Sequence, residues 1–301
     1  MSVKSDNFIK SPLNYTGGKF RILNQIFPLF PKDITTFVDI FCGGLNVGIN
    51  VQSKTIIAND ECRQIIQLYE YFINTPKNRI LSKIINIIKK NELSNTSENG
   101  YEKYNTNSYA GVAKYNKQKH LFLKDKYNQS KKKDPILFYV LIIFSFNNQI
   151  RFNSKGEFNL PVNKRDFTNN MQKNLDEFIN KIQSKEFILS SKDYRDLKIK
   201  KDYFVYLDPP YLITNASYNE GGGWKTNDEI DLLQYIDDLN KKGVRFALSN
   251  VFENKGRENK LLIDWSKKYN IHFLKRSYSN ANYQVKNKES NTTKEVLITN
   301  Y

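Results

Sequence analysis

The stretch Phe204-Val205-Tyr206-Leu207-Asp208-Pro209-Pro210-Tyr211 decides the fold. Four apolar residues without polar alternation read as a strand buried on both faces, the pattern of a parallel sheet covered by helices. Asp208 ends the apolar run. The two prolines then stop further pairing, because successive positions lack an N–H and have φ fixed. A strand that stops on a carboxylate before a stiff turn puts that carboxylate at the carboxyl edge of a sheet. Open α/β sheets bind their ligands at that edge.

Six further runs have the same character: Phe37-Val38-Asp39-Ile40, Thr55-Ile56-Ile57-Ala58, Phe187-Ile188-Leu189, Arg245-Phe246-Ala247-Leu248, Ile271-His272-Phe273-Leu274 and Glu295-Val296-Leu297-Ile298. They predict seven strands in all. Between them the apolar period becomes helical. Ile230, Leu233, Ile236 and Leu239 repeat every three residues and predict one buried stripe, capped by Thr226 or Asn227 and ended by Gly243. Ile80, Ile84 and Ile88 repeat every four. The expected class is α/β.

The alternation breaks once, between the second and third strands. Residues 94–107, rich in Ser, Asn, Thr and Glu, read as a loop, and residues 114–133 carry eight lysines against one acid, Asp125. A buried helix is expected over 136–146. Phe152 and Phe158 flank a Ser-Lys-Gly turn and predict a hairpin. We therefore divide the chain into a domain of residues 1–74 and 184–301 and an inserted, mostly helical one of 75–183. No internal repeat is apparent.

The first strand runs into Phe41-Cys42-Gly43-Gly44, then Asn46 and Gly48, and the second ends in Asn59-Asp60. A glycine turn after a strand lets backbone approach a ligand, and an acid some twenty residues on suits a ribose diol. The spacing is not the Gly-x-Gly-x-x-Gly of a dinucleotide site. Leu13-Asn14-Tyr15-Thr16-Gly17-Gly18-Lys19 lacks full P-loop spacing, which argues against an NTPase. In Asp208-Pro209-Pro210-Tyr211, the Asp208 carboxylate and the Pro209 carbonyl offer two acceptors to the two hydrogens of an exocyclic amine. Tyr211 offers a flat face to a base rotated out of its stack. Read blandly, the same four residues are a strand end closed by a proline turn.

Lys and Arg total 47 of the 301 residues against 31 Asp and Glu, a formal charge of +16. That excess favours polyanionic partners, although a lysine- and asparagine-rich composition can also be genome-wide. No apolar run is long enough to span a membrane, and the first residues carry no apolar secretion core. Two cysteines, Cys42 and Cys62, do not make a disulfide framework, and two histidines, His120 and His272, leave no Cys/His metal cluster. A reducing, cytoplasmic setting is expected, with neither metal nor membrane.

The chain resembles the adenine-N6 DNA methyltransferases of the Dam and DpnII type. The likeness rests on Tyr15-Thr16-Gly17-Gly18-Lys19, Phe41-Cys42-Gly43-Gly44, Asn59-Asp60, the hairpin from Arg151-Phe152-Asn153 to Gly156-Glu157-Phe158-Asn159-Leu160-Pro161, the Asp-Pro-Pro-Tyr tetrapeptide and the closing Glu295-Val296-Leu297-Ile298-Thr299-Asn300-Tyr301, in the family's order. The resemblance implies a Rossmann-like methyltransferase fold, with a seven-stranded, mainly parallel sheet whose last strand is antiparallel. It implies S-adenosyl-L-methionine as cofactor, S-adenosyl-L-homocysteine as product, no metal, and a target-recognition role for 75–183. Tyr15, Gly18, Lys19, Asp39, Phe41, Gly43 and Asp60 would line the cofactor pocket, with Asp193 and Tyr194 at its adenine and Asp208 at its edge. Asp208, Pro209, Pro210 and Tyr211 would hold the target adenine. The partners implied are double-stranded DNA and a cognate restriction endonuclease, in a restriction-modification or phage/host modification setting, with the protein a monomer or weak dimer.

Departures stand at Ile40 and Leu45 in the glycine turn and at Asn14 and Gln149, where GATC readers carry other residues. The resemblance therefore does not carry over a GATC target. For recognition we single out Arg151, whose fork suits guanine, Gln149 and Asn153, which suit adenine edges, and Asn14, Pro161, Lys131 and Lys132. The glycines of the loop 214–227 suit a lid or DNA-contacting segment, and the polar segment 276–294 is a further candidate to track DNA. Two other readings stay open: an RNA N6-adenine methyltransferase, and a DNA-binding module whose catalytic site has decayed. A protein-glutamine methylase would carry Asn in place of Asp208.

Overall fold

The computed structural model describes residues 8–214, 223–275 and 293–301. The strands, in chain order, are β1 (Thr36–Asp39), β2 (Thr55–Asn59), β3 (Glu186–Ser190), β4 (Phe204–Leu207), β5 (Arg245–Asn254), β6 (Arg257–Glu258), β7 (Asn270–Leu274) and β8 (Thr293–Thr299). The helices are α1 (Leu23–Ile26), α2 (Arg63–Asn74), α3 (Lys77–Lys90), α4 (Thr96–Asn99), α5 (Ala113–Gln129), α6 (Pro135–Phe144), α7 (Asn169–Gln183), α8 (Thr226–Lys241) and α9 (Lys260–Ser266). Each run read as a strand is one. The addition is β6, two exposed residues that pair antiparallel with the end of β5 across a turn whose Gly256 has φ +76°. A two-residue strand leaves no periodicity to read.

The chain divides into two compact units. One takes Met1–Phe8, Lys19–Glu61 and Ser190–Tyr301, and the other Ile9–Gly18 and Cys62–Leu189. These bounds lie outside the 75–183 interval read from sequence, because α2 and β3 up to Leu189 fall with the second unit.

Within the first unit the strand order is β2-β1-β4-β5-β8-β7. β2, β1, β4 and β5 are mutually parallel, while β8 lies antiparallel between β5 and β7. The sheet is thus mainly parallel and the class α/β. All four residues of β4 are buried, as the lack of alternation required. Val38, Val205, Phe246, Leu248, Val296 and Ile298 form a core with Leu232, Leu233, Ile236 and Leu239 of α8. The stripe on α8 differs from its reading: Ile230 is 47% exposed, and Glu229 turns inward in its place. Residues 229, 232, 233, 236 and 239 follow the 3.6-residue period, which a strict three-residue spacing does not. The helix is capped not by Thr226 or Asn227 but by Asp228, whose carboxylate accepts the Lys225 N–H at 2.8 Å. Gly243 does end it, at φ +72°.

The second unit is helical. Every side chain of α6 from Ile136 to Phe144 is buried, and α2, α3 and α5 pack on it. Asp134 caps α6 by accepting the Ile136 N–H at 2.9 Å, with Pro135 at its first turn. The helix stops at Phe144, so Phe146, read as its buried end, is 50% exposed. The segment read as loop over 94–107 holds α4 and a 3₁₀ turn at Glu102–Tyr104. Buried Asp166 ties it down, accepting from Ser94 Oγ at 2.8 Å and Thr96 N–H at 2.7 Å. Phe152 and Phe158 bridge antiparallel across a turn at Gly156, φ +73°.

Candidate active site

The first unit collects its acids at the carboxyl ends of β1, β2 and β4. Asp39 ends β1, Asp60 follows β2 and Asp208 follows β4. The Lys19 ammonium sits 2.8 Å from Asp208 Oδ2 and 3.7 Å from Glu295 Oε1 of β8, with Lys19 1% and Glu295 0% exposed. The Tyr211 hydroxyl donates to Asp208 Oδ1 at 2.8 Å. Lys19 also lies 5.1 Å from the centroid of the Tyr211 ring, a cation–π distance. Both oxygens of Asp208 are thereby fixed in direction, and each keeps a further lone pair for another donor. Lys19, expected in the cofactor pocket, is placed here as the counter-ion of Asp208.

Burial lifts the Asp208 carboxyl above the usual carboxylate range, and the Lys19 charge is the main force against it. Asp39 is lifted further, by burial first and by the Asp208 charge second, while the Gly48 N–H opposes. Burial and the Asp208 charge also raise the Tyr211 phenol well above its ordinary value, so it remains a proton donor.

The turn after β1 is closed by its neighbours. Gly43 N–H donates to Asp60 Oδ2 at 2.9 Å and Cys42 N–H to the Asn59 carbonyl at 2.8 Å. The Asn59 amide donates to the carbonyls of Ile40 (3.1 Å) and Lys192 (2.9 Å) and accepts the Lys192 N–H at 3.0 Å. Asp60 N–H meets the Ser190 carbonyl at 3.2 Å. Gly43 has φ +42° and Leu45 φ +58°. A bulky residue is uncommon in that left-handed region, and Leu45 is held there with its side chain fully buried. A β-carbon at Gly48 would stand 2.9 Å from Leu45 Cδ1 and 3.2 Å from Asp39 Oδ2, so this position takes no side chain without moving the acid.

An aromatic cluster borders the turn. Phe41 packs on Tyr194 at 5.6 Å between ring centroids and edge-on to Trp224 at 6.2 Å. The Trp224 indole N–H donates to Glu229 Oε2 at 2.6 Å. Glu229 is fully buried and also accepts from Asn259 (2.9 Å) and Asn250 (3.4 Å). Burial raises its carboxyl. Sequence reasoning alone misses Glu229, although an acid on the buried period of α8 is a usable signal. Asp193 caps the turn of Tyr194 and pairs with Arg195 at 2.6 Å, which draws its carboxyl below the ordinary range. Tyr194 thus presents its ring to Phe41 while Asp193 is engaged by arginine.

In the second unit, Gly18 N–H closes a turn on the Tyr15 carbonyl at 3.1 Å, with Gly17 at φ +85°. The Asn14 amide donates to the Asn147 carbonyl at 2.6 Å. Asn147 and Asn148 are consecutive left-handed residues, both at φ +53°. This tight segment is pinned by Asn148 Nδ2 on the Ile143 carbonyl (2.6 Å) and by Phe146 N–H on the Pro161 carbonyl (2.8 Å). It presents the exposed ring of Phe146, which by sequence continues the core helix. Gln149 follows directly. Arg151 Nε donates to Asn159 Oδ1 at 2.8 Å. Asn153 uses both ends of its amide within the hairpin, donating to Glu157 Oε2 at 2.8 Å and accepting the Glu157 N–H at 2.9 Å. Lys131 and Lys132 are exposed. Tyr218, Gly221, Gly222 and residues 276–292 lie outside the described residues.

The family model for D12 class N6 adenine-specific DNA methyltransferases matches residues 15–280. The chain belongs to that family. It is 41% identical to modification methylase StsI of Streptococcus sanguinis, over 98% of this chain and 43% of that protein. It is 42% identical to type II methyltransferase M.FokI of Planomicrobium okeanokoites, over 99% of this chain and 44% of that protein. It is also similar to type II methyltransferase M1.LlaDCHI of Lactococcus lactis subsp. cremoris, at 24% identity over 95% of this chain and 94% of that protein. The chain therefore spans less than half the length of the first two relatives. The matched region of this D12 class chain contains Asp208, Lys19 and the glycine turn, and Glu295 lies beyond it. Among the described residues no helix is long and apolar enough to cross a membrane, and no three His, Cys, Asp or Glu side chains gather as metal ligands.

Proposed function

We propose that this chain transfers a methyl group from S-adenosyl-L-methionine to N6 of an adenine in double-stranded DNA, as the modification activity of a restriction-modification system. The observation that carries the reading is Asp208, fixed at the end of β4 by Lys19 on one oxygen and Tyr211 on the other. An exocyclic amine placed there meets a carboxylate of set direction and the carbonyl of Pro209, which together align its nitrogen. Tyr211 serves by its hydroxyl as well as by its ring.

The residues around the glycine turn fit the cofactor. Asp39, Asp60, Asp208 and Glu295 set four carboxylates against the single ammonium of Lys19, and such a surplus favours a sulfonium cation. When bound, S-adenosyl-L-methionine supplies the methyl group and leaves as S-adenosyl-L-homocysteine. Asp60 would accept from its ribose, and Gly43, Phe41 and Tyr194 would border it. The second unit would read the target. Arg151 and Gln149 are the base-contacting candidates, the exposed Phe146 ring would stack on a base, and Asn153, bonded to Glu157, would shape the hairpin. The exposed Lys131 and Lys132 suit phosphate.

The test is transfer of labelled methyl to duplex DNA, to the same duplex without adenine, and to RNA. Sequencing of DNA from cells expressing the protein then gives the modified base and its context. Label in RNA but not DNA supports the RNA reading. DNA binding without any transfer supports a decayed module. Either result overturns the proposal.

A further inference from the structure

The second unit carries a cavity that none of Asp208, Tyr211, Lys19 and the glycine turn lines. It runs along α3, past the last turn of α5, to the segment leading into α6, and its volume is about 550 Å³. Arg79, Lys83 and Lys90 line it from α3, Lys126 from α5 and Lys132 from the connecting segment. Its one acid, Asp134, pairs with Lys83 at 2.9 Å. Arg79, Lys90, Lys126 and Lys132 make no ion pair among the described residues. Four uncompensated cations thus border one concavity, where surface charges of a protein are ordinarily interspersed with opposite ones.

Tyr127, 1% exposed, lines the cavity and stacks on Phe138 at 5.7 Å. Its hydroxyl is shielded from solvent and has no hydrogen-bond partner among the described residues. Burial raises the phenol, so it stays a donor at neutral pH. A buried donor without an acceptor is costly. The cavity thus offers cations and a forked guanidinium, and what these lack is a multivalent oxygen acceptor.

We propose that this cavity binds phosphate groups. Its volume exceeds a single phosphate and lies in the range of small-ligand sites. Two sources present that chemistry: a free nucleoside polyphosphate, or successive phosphates of a nucleic-acid backbone. The second source rests on the DNA substrate proposed above, and the first does not.

The test is calorimetric titration of the whole chain with pyrophosphate, with and without a short DNA duplex, on the wild type and Lys90→Glu/Lys126→Glu. The two lysines are exposed, so their change leaves the core intact, and a melting curve checks this. Saturable binding near one to one is expected, weakened about tenfold or more by the double substitution. Displacement by duplex, with a DNA salt slope lowered by about one to two in the double variant, assigns the site to the backbone. Pyrophosphate binding indifferent to duplex assigns it to a free nucleotide, whether or not the chain methylates DNA. No saturable binding together with an unchanged salt slope, or binding equal in wild type and double variant, overturns the proposal.

Discussion

The two units handle charge in opposite ways. In the first, Lys19, Asp39, Asp208 and Glu295 are drawn into the sheet's carboxyl edge, where each carboxylate is aimed by a partner. In the second, most of the lysines of 114–133 stand on the exposed face of α5 and the segment after it, while the interior of α6 is wholly apolar. Buried charge is expensive and confers fixed geometry; exposed charge is cheap and confers attraction without direction. The contrast fits a division of labour in which the first unit performs chemistry and the second holds a polyanion.

The largest expected effect tests the aimed carboxylate. Asp208→Ala is expected to lower methyl transfer by about a thousandfold or more, the scale of removing a preorganised electrostatic contact, while duplex binding measured by gel shift stays within a few-fold. Near-normal turnover would break the contrast at its strongest point. Lys19→Met removes the counter-ion of two buried acids. Chemical denaturation is expected to show a loss of about 3 kcal/mol, larger at higher pH, where Asp208 must ionise without it. An unchanged midpoint would mean that the pair is solvated rather than buried.

Cofactor binding is expected to depend on pH in a stated direction. The carboxyls of Asp39 and Asp208 are raised above the ordinary carboxylate range in the folded chain. Their ionised forms are the ones that attract a cation, so calorimetric affinity for S-adenosyl-L-methionine falls as pH drops toward that range from above. The stability of the cofactor-free protein follows the opposite sign. A group with a raised folded value favours the folded state at low pH and loses that contribution as pH rises through it. Affinity that is flat down to the ordinary carboxylate range would remove the electrostatic argument for the sulfonium. The smallest effect belongs to the second unit. Lys131→Ala with Lys132→Ala should weaken DNA binding only a few-fold and reduce its salt slope by about one or two, without changing the methylated sequence. An altered target sequence would show directional readout where only attraction is expected.

Much of the site is legible in the chain's local patterns. Asp208, Asp39, Asp60 and the glycine turn follow strand ends, and strand ends are legible because burial on both faces leaves an unbroken apolar run. Glu229 is only faintly legible, from its place on the buried period of α8, and Phe146 is not legible. Glu229 looks like one more helix-surface acid, and only Trp224, Asn250 and Asn259 converging on it explain its burial. Phe146 continues the apolar run of α6 and reads as core, yet the helix ends at Phe144 and two left-handed asparagines turn the ring outward. Leu45 gives no sign of its positive φ, since nothing in a leucine announces a conformation that its surroundings impose.

The sequence by itself determined the seven longer strands, the parallel core of the sheet and the position of Asp208-Pro209-Pro210-Tyr211 at the end of β4. These follow from local periodicity and from the missing N–H groups of proline, which act along a few neighbouring residues. Only the tertiary structure decided that Lys19, 189 residues away in the chain, is the counter-ion of Asp208, that Glu295 of the last strand shares it, and that Asn14 is fastened to Asn147. Such pairings arise from long-range closure of the sheet and the helical unit, and composition and spacing carry no record of which cation will meet which acid.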